Sequence, residues 1–113
     1  NEIPNTVENV KLASRIGCEL GAHIIKTTFA GEVEEFEDVV KGSFSPVVVL
    51  GGDKVKNIGD LFSLIEDALR AGAKGVAIGR NVWKHKNPDK VTAALVGLVH
   101  EGKKAEECLE LVK

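Results

Sequence analysis

The chain has 113 residues, with 15 Lys plus Arg against 17 Asp plus Glu and a net charge of −2, which excludes a protein that grips polyanions by bulk positive charge. Hydrophobic residues make up 43% and charged residues 28%, close to an ordinary globular mix, so a disordered tail and a fibrous sequence are excluded too. One packed unit over residues 1–113 is expected, with no linker and no second domain.

Cys18 and Cys108 stand far apart, with no CxxC and no His at ligand spacing, which argues against a disulfide framework or a zinc site and for reduced thiols in the cytoplasm. No apolar run approaches the roughly 18 residues that would read as a membrane span, and the opening Asn1-Glu2-Ile3-Pro4-Asn5 is unlike a signal peptide. The chain contains no Met and opens on Asn, a residue too large to favour removal of an initiator Met, so a piece of a longer reading frame is expected.

Pro4 followed by Asn5-Thr6-Val7-Glu8 places a cap residue three positions before an acid, the start of a first helix with Val7, Val10, Ile16 and Leu20 near one face and Gly21 as its stop. Ala22 to Phe29 is short, apolar and β-branched and reads as a strand. Gly31 turns into a helix over Glu32 to Lys41, with acids crowding its front as the helix dipole prefers.

Val47-Val48-Val49-Leu50 is unbroken apolar sequence, which suits a strand covered on both faces, as in parallel sheets. Gly51-Gly52 ends it. A helix with Leu61, Phe62, Ile65, Ala68 and Leu69 stops at Gly72, and Gly75 to Gly79 forms the third strand. Asn87-Pro88 opens a helix with Val91, Ala94, Leu95, Leu98 and Val99 on one face, ended by Gly102. Ala105, Cys108, Leu109 and Val112 mark a last short helix.

Strands alternating with helices imply right-handed crossovers and a parallel α/β sheet, either open or part of a closed barrel. An eight-fold barrel takes about 250 residues, roughly 31 per βα unit, so this length supplies three strands of eight.

Lys26 lies inside an apolar strand, where an ammonium is costly without a task or a partner. Burial there would lower its pKa, and a neutral amine attacks carbonyls to form a Schiff base. The plainer reading keeps its stem buried and its head in water.

Gly51-Gly52 directly after one strand and Gly79-Arg80-Asn81 directly after the next form the second feature. Glycines let backbone N–H groups approach an anion, a short helix near Asn81 would aim its positive end there, and Arg80 adds a fork of donors. The plainer reading is a pair of tight turns. Lys54 either adds charge to that phosphate site or is a solvated loop lysine, and its neighbour Asp53 reads as a surface partner. Thr27 and Thr28 either bond a substrate hydroxyl or serve as strand formers. His23, His85 and His100 share no metal spacing and read as structural or surface residues. Trp83 is expected to pack the segment after Arg80 onto the end of the sheet. No basic surface interleaved with aromatics points to nucleic acid.

Three segments in order, Gly21-Ala22-His23-Ile24-Ile25-Lys26-Thr27, Pro46 to Lys54 and Ala71 to Trp83, resemble the C-terminal part of the archaeal-type class I fructose-bisphosphate aldolases. That wider group includes the deoxyribose-phosphate aldolase-like barrels and the 2-amino-3,7-dideoxy-D-threo-hept-6-ulosonate synthases. The resemblance runs over nearly the whole chain and implies strands 6 to 8 of a (β/α)8 TIM barrel. It implies Lys26 as the Schiff-base nucleophile and Gly51, Gly52, Gly79 and Arg80 as the grip on a substrate phosphate, with Lys54 beside it.

The implied reaction is reversible cleavage of fructose 1,6-bisphosphate to dihydroxyacetone phosphate and glyceraldehyde 3-phosphate, without a metal or other cofactor. The implied partners are a phosphorylated sugar and, as homo-oligomer or as the rest of the barrel, further protein, with neither nucleic acid nor membrane. Three alternatives stay open: the heptulosonate synthase, a thiolase-like enzyme, and a non-catalytic phosphate-binding barrel fragment. The chain also departs from the family's pattern. It has no Tyr, whereas the family's proton-transfer tyrosine lies on the strand before the lysine strand; His23 replaces a usual Asp and Phe29 a common Tyr.

Overall fold

The computed structural model describes residues 4–51 and 55–113. Thr6 caps α1 (Val7–Glu19), its side chain accepting from the Asn9 backbone N–H at 3.2 Å. The cap thus falls one residue later than the Asn5–Glu8 pattern suggests, and the Asn9 side chain donates back to the Pro4 carbonyl. Gly21 follows with a φ of 100°, where a Cβ would be strained. β1 (Ile25–Thr27) is shorter than the apolar run from Ala22 to Phe29. Ala30 beyond it is buried, and Phe29 stacks tilted on Phe36 with centroids 4.9 Å apart, so the residues after the strand serve packing rather than pairing, whereas Ile24 before it is exposed.

α2 (Val33–Lys41) starts with a capping box in which the Glu32 N–H donates to the Glu35 carboxylate at 2.9 Å. β2 (Val47–Leu50) matches its expected bounds. α3 (Ile58–Arg70) is capped by Asn57 and followed by Gly72 at a φ of 109°. β3 (Gly75–Ala77), the single turn α4 (Arg80–Trp83), α5 (Pro88–His100) and α6 (Ala105–Leu111) complete the order. The expected third strand ran to Gly79; pairing ends at Ala77 because the chain turns there into α4.

The three strands lie parallel in the order β1-β2-β3, with Lys26 opposite Val48 and Leu50 opposite Ala77. This is the α/β arrangement of consecutive βα units, a partial TIM barrel. Alternation sends Ile25, Val47 and Val49 into the helix layer, where they meet Val10, Phe36, Val39 and Ala68. A second cluster joins Leu61, Phe62 and Ile65 of α3 to Val91, Ala94 and Leu98 of α5 and Ala105 and Cys108 of α6. Val76 packs against both clusters and ties them into one layer. The other face of the sheet carries Lys26 and has no layer over it among the described residues.

The two thiols differ in surroundings. Cys108 is fully buried and lies 3.3 Å from the Ala94 carbonyl, and burial pushes its pKa up. Cys18 is half-buried, 3.0 Å from the Ser43 hydroxyl, and that hydrogen bond holds its pKa below the ordinary thiol value. Iodoacetamide near neutral pH should therefore alkylate Cys18 in the folded protein and reach Cys108 only after denaturation. Ser43→Ala should slow the Cys18 reaction, because a raised pKa leaves less thiolate at that pH; equal labelling of both thiols in the native state would contradict the packing of α6.

Phe62 has no exposed surface and sits between α3, α5 and α6. Phe62→Ala should lower unfolding free energy by about 3–5 kcal/mol. Leu12→Ala, on a side chain 60% exposed on α1, should change it by no more than about 0.5 kcal/mol. Urea midpoints at constant slope check both.

Candidate active site

A parallel sheet of this kind gathers its functional groups where strands give way to loops, at their C-terminal ends. One cavity of about 650 Å³ opens there. Lys26, Leu50 and Ala77 reach it from the three strands, and Gly51, Gly79 and Arg80 from the ends of β2 and β3. The nucleophile candidate and three of the five phosphate-site candidates thus share one pocket. Gly52, Asp53 and Lys54 lie outside the described residues.

Of the two readings of Lys26, the described residues by themselves show the one with its head exposed, whereas its neighbour Ile25 is buried. Strand alternation explains the difference, since Ile25 takes the helix-facing position and Lys26 the uncovered face. Lys26 faces the cavity mouth rather than the helix layer.

The two loops are pressed together, and the glycines explain how. A Cβ on Gly51 would come within 2.7 Å of the Asn81 side-chain nitrogen, so a side chain at the end of β2 would have to displace the Asn81 amide from its place against it. A Cβ on Gly79 would come within 2.7 Å of the Trp83 ring. Trp83, expected to pack that segment onto the end of the sheet, lies back over Gly79 and stays 67% exposed. The short helix anticipated near Asn81 is a single turn of four residues beginning at Arg80. Its Val82 N–H bonds the Gly79 carbonyl at 2.8 Å, which fixes the loop carrying Arg80.

Thr27 and Thr28 are half-buried and are not among the cavity's lining residues. His85, expected to be structural or at the surface, is among the residues lining the cavity. Its Nδ1 accepts from the Asn87 backbone N–H at 2.9 Å. Lys56, on the connection into α3, and Lys84, which closes α4, line it as well. None of these three belongs to a strand-end glycine motif; the signal that could have found them is position alone, since each lies within five residues of such a motif.

The DeoC/LacD family aldolase model matches residues 3–85. The fructose-bisphosphate aldolase class 1 of Thermoproteus tenax is 41% identical over 105 residues, which cover 92% of this chain and 40% of that protein. The 2-amino-3,7-dideoxy-D-threo-hept-6-ulosonate synthase of Halobacterium salinarum is also 41% identical, over 89% of this chain and 38% of that protein. Among solved structures, an archaeal fructose-1,6-bisphosphate aldolase with its catalytic lysine covalently bound to the carbinolamine intermediate superposes with a TM-score of 0.81 at 37% identity, over 88% of this chain and 41% of that one. The chain thus spans about two fifths of the length of these relatives. With the family model covering most of its residues, the chain belongs to the DeoC/LacD aldolase family.

Proposed function

We propose that this chain supplies the nucleophile and the phosphate grip of a class I, Schiff-base aldolase acting on fructose 1,6-bisphosphate. The observation that carries the reading is the shared cavity: the single strand lysine on the uncovered face opens into the same space as Gly51, Gly79 and Arg80. Gly52 and Lys54 enter on the motif alone. The reduced thiols and the balanced charge support a cytoplasmic enzyme.

In this reading Lys26, as the free amine, attacks the keto carbon of the sugar. The carbonyl oxygen takes up protons and leaves as water, and an iminium forms. The iminium draws in the electron pair of the bond between the carbons α and β to it as that bond breaks, while the hydroxyl on the departing β carbon loses its proton and that carbon becomes an aldehyde. The enamine left on Lys26 is then protonated, and water releases dihydroxyacetone phosphate. Arg80 and the glycine-rich loops hold the phosphate, so that the keto carbon stays within reach of Nζ and the bimolecular attack becomes a local one. The protons need a carrier, and the chain contains no Tyr to match the family's proton-transfer residue. The remaining strands of the barrel, covering the Lys26 face, are its source in this reading.

A second reading, the heptulosonate synthase, draws on the Halobacterium relative, which is as similar as the Thermoproteus one.

Borohydride treatment with dihydroxyacetone phosphate, on the protein that carries this chain, should leave a reduced adduct on the Lys26 peptide and none after Lys26→Met. An unmodified Lys26 would instead indicate a non-catalytic phosphate-binding barrel. Arg80→Met should weaken dihydroxyacetone phosphate binding by about tenfold to a hundredfold, because a hydrogen bond to a charged group contributes roughly 1.5–3 kcal/mol. The 113 residues by themselves should show negligible turnover, and full activity from them would refute the need for an outside proton carrier.

A further inference from the structure

A second cavity, of about 500 Å³, lies at the far end of α3. Ile58 and Leu61, in the first turns of that helix, line the cavity at the strand ends, whereas Glu66, Leu69 and Arg70, in its last turns, line this one. A 13-residue helix is about 20 Å long, so the two spaces open at opposite ends of it. Leu69 of α3 and Leu98 of α5 give the second cavity its apolar surface. Lys103 and Lys104, on the connection from α5 to α6, complete a charged rim with Glu66 and Arg70. None of these residues takes part in the sugar chemistry above.

The charges on that rim are only partly paired. Arg70 lies 3.5 Å from Asp67 and Lys103 lies 3.7 Å from Glu101, each on its own segment. Lys103 is also held along its stem: a Cβ on Gly97 would come within 2.9 Å of the Lys103 Cδ, and the Lys103 backbone N–H bonds the Gly97 carbonyl at 3.0 Å. Lys104 and Glu66 remain. The Lys104 side chain has no ion pair or hydrogen bond among the described residues. Glu66 accepts the Ala105 backbone N–H on Oε2 at 2.7 Å, and no described cation, Lys104 included, comes within 4 Å of it.

One ammonium and one carboxylate thus border the same apolar surface without neutralising each other. The first attracts a carboxylate, the second attracts an ammonium through its spare oxygen, and the two leucines favour an apolar group. A simple anion or cation would satisfy one of these charges and be repelled by the other. A zwitterion with an apolar side chain satisfies both.

We propose that this cavity binds a free apolar α-amino acid. Its carboxylate lies on Lys104 and on Arg70, whose fork keeps donors beyond the Asp67 contact. Its ammonium lies on Glu66, and its side chain rests against Leu69 and Leu98. The site does not depend on the aldolase reading. Its occupant joins the end of α3 to the connection that carries α6.

The test titrates L-phenylalanine and L-leucine into the protein that carries this chain, by calorimetry at neutral pH, with backbone amide shifts recorded in parallel. Both should bind, with the shifts concentrated at Leu69, Gly102 and Ala105. Phenylpropionate, which lacks the ammonium, and phenethylamine, which lacks the carboxylate, should each bind about tenfold more weakly or worse, as loss of one charge-assisted hydrogen bond implies. K104Q should erase the advantage of phenylalanine over phenethylamine, and E66Q its advantage over phenylpropionate. Glu66→Gln retains a carbonyl oxygen for the Ala105 N–H, so α6 stays docked and the change reads the charge alone. No binding of either amino acid, equal binding of the analogues that lack one charge, or shifts confined to the strand-end cavity overturns the proposal.

Discussion

A β-strand has two sides, and only one of them can face the helices. That alternation decides where the chemistry of this chain can occur. Ile25 is drawn into the apolar layer with Val47 and Val49, and Lys26 is thereby committed to the opposite surface. A shift of one residue would exchange them, burying the ammonium among Val10, Phe36 and Val39. The helix layer therefore acts on Lys26 indirectly: its apolar demand for Ile25 sets the register, and the register aims the lysine.

The second determinant is the close approach of two connections. Parallel strands return their C-terminal ends to the same edge, so the segments after β2 and β3 emerge side by side. Adjacency alone leaves room between them. The absence of side chains at Gly51 and Gly79 closes that room, bringing the end of β2 against Asn81 and letting Trp83 fold over the start of its own turn. The rigid part of the pocket is thus built from backbone, and the longer cationic side chains project around it.

Much of this was legible in the amino-acid sequence. The helix faces, the apolar run of β2, the stops at Gly21 and Gly72 and the parallel order all follow from periodicity and from residues with distinct backbone preferences. The length of β1 did not: the residues flanking Ile25–Thr27 are as apolar and β-branched as the strand itself, yet its pairing ends at Thr27 while β2 runs on to Leu50. The surroundings of Lys26 stayed open between two readings for a related reason. An apolar neighbourhood along the chain describes both faces of a strand at once, whereas burial depends on which face is covered. His85 was passed over because a lone histidine carries no spacing signal; its hydrogen bond to Asn87 and its place on the cavity wall exist only after α4 has turned the chain.

The distribution of charge shows the same separation between what composition contains and what folding creates. A net charge of −2 says nothing of a cationic cavity. The acids are spent elsewhere: Glu32 and Glu35 on the cap of α2, Asp60 on the cap of α3, Glu66 on the backbone N–H of Ala105, and Glu37 and Glu110 on neighbouring lysines along exposed helices. Helix starts attract carboxylates, so acids gather at caps and on outer helical faces. Lys26, Lys56, Arg80 and Lys84 stand instead on a strand, on a loop and on one short turn. Each group of charges follows the local backbone, and the parallel α/β arrangement then collects the cations at one end of the sheet. A cavity lined by four cationic side chains thus arises in a chain whose overall charge is slightly negative.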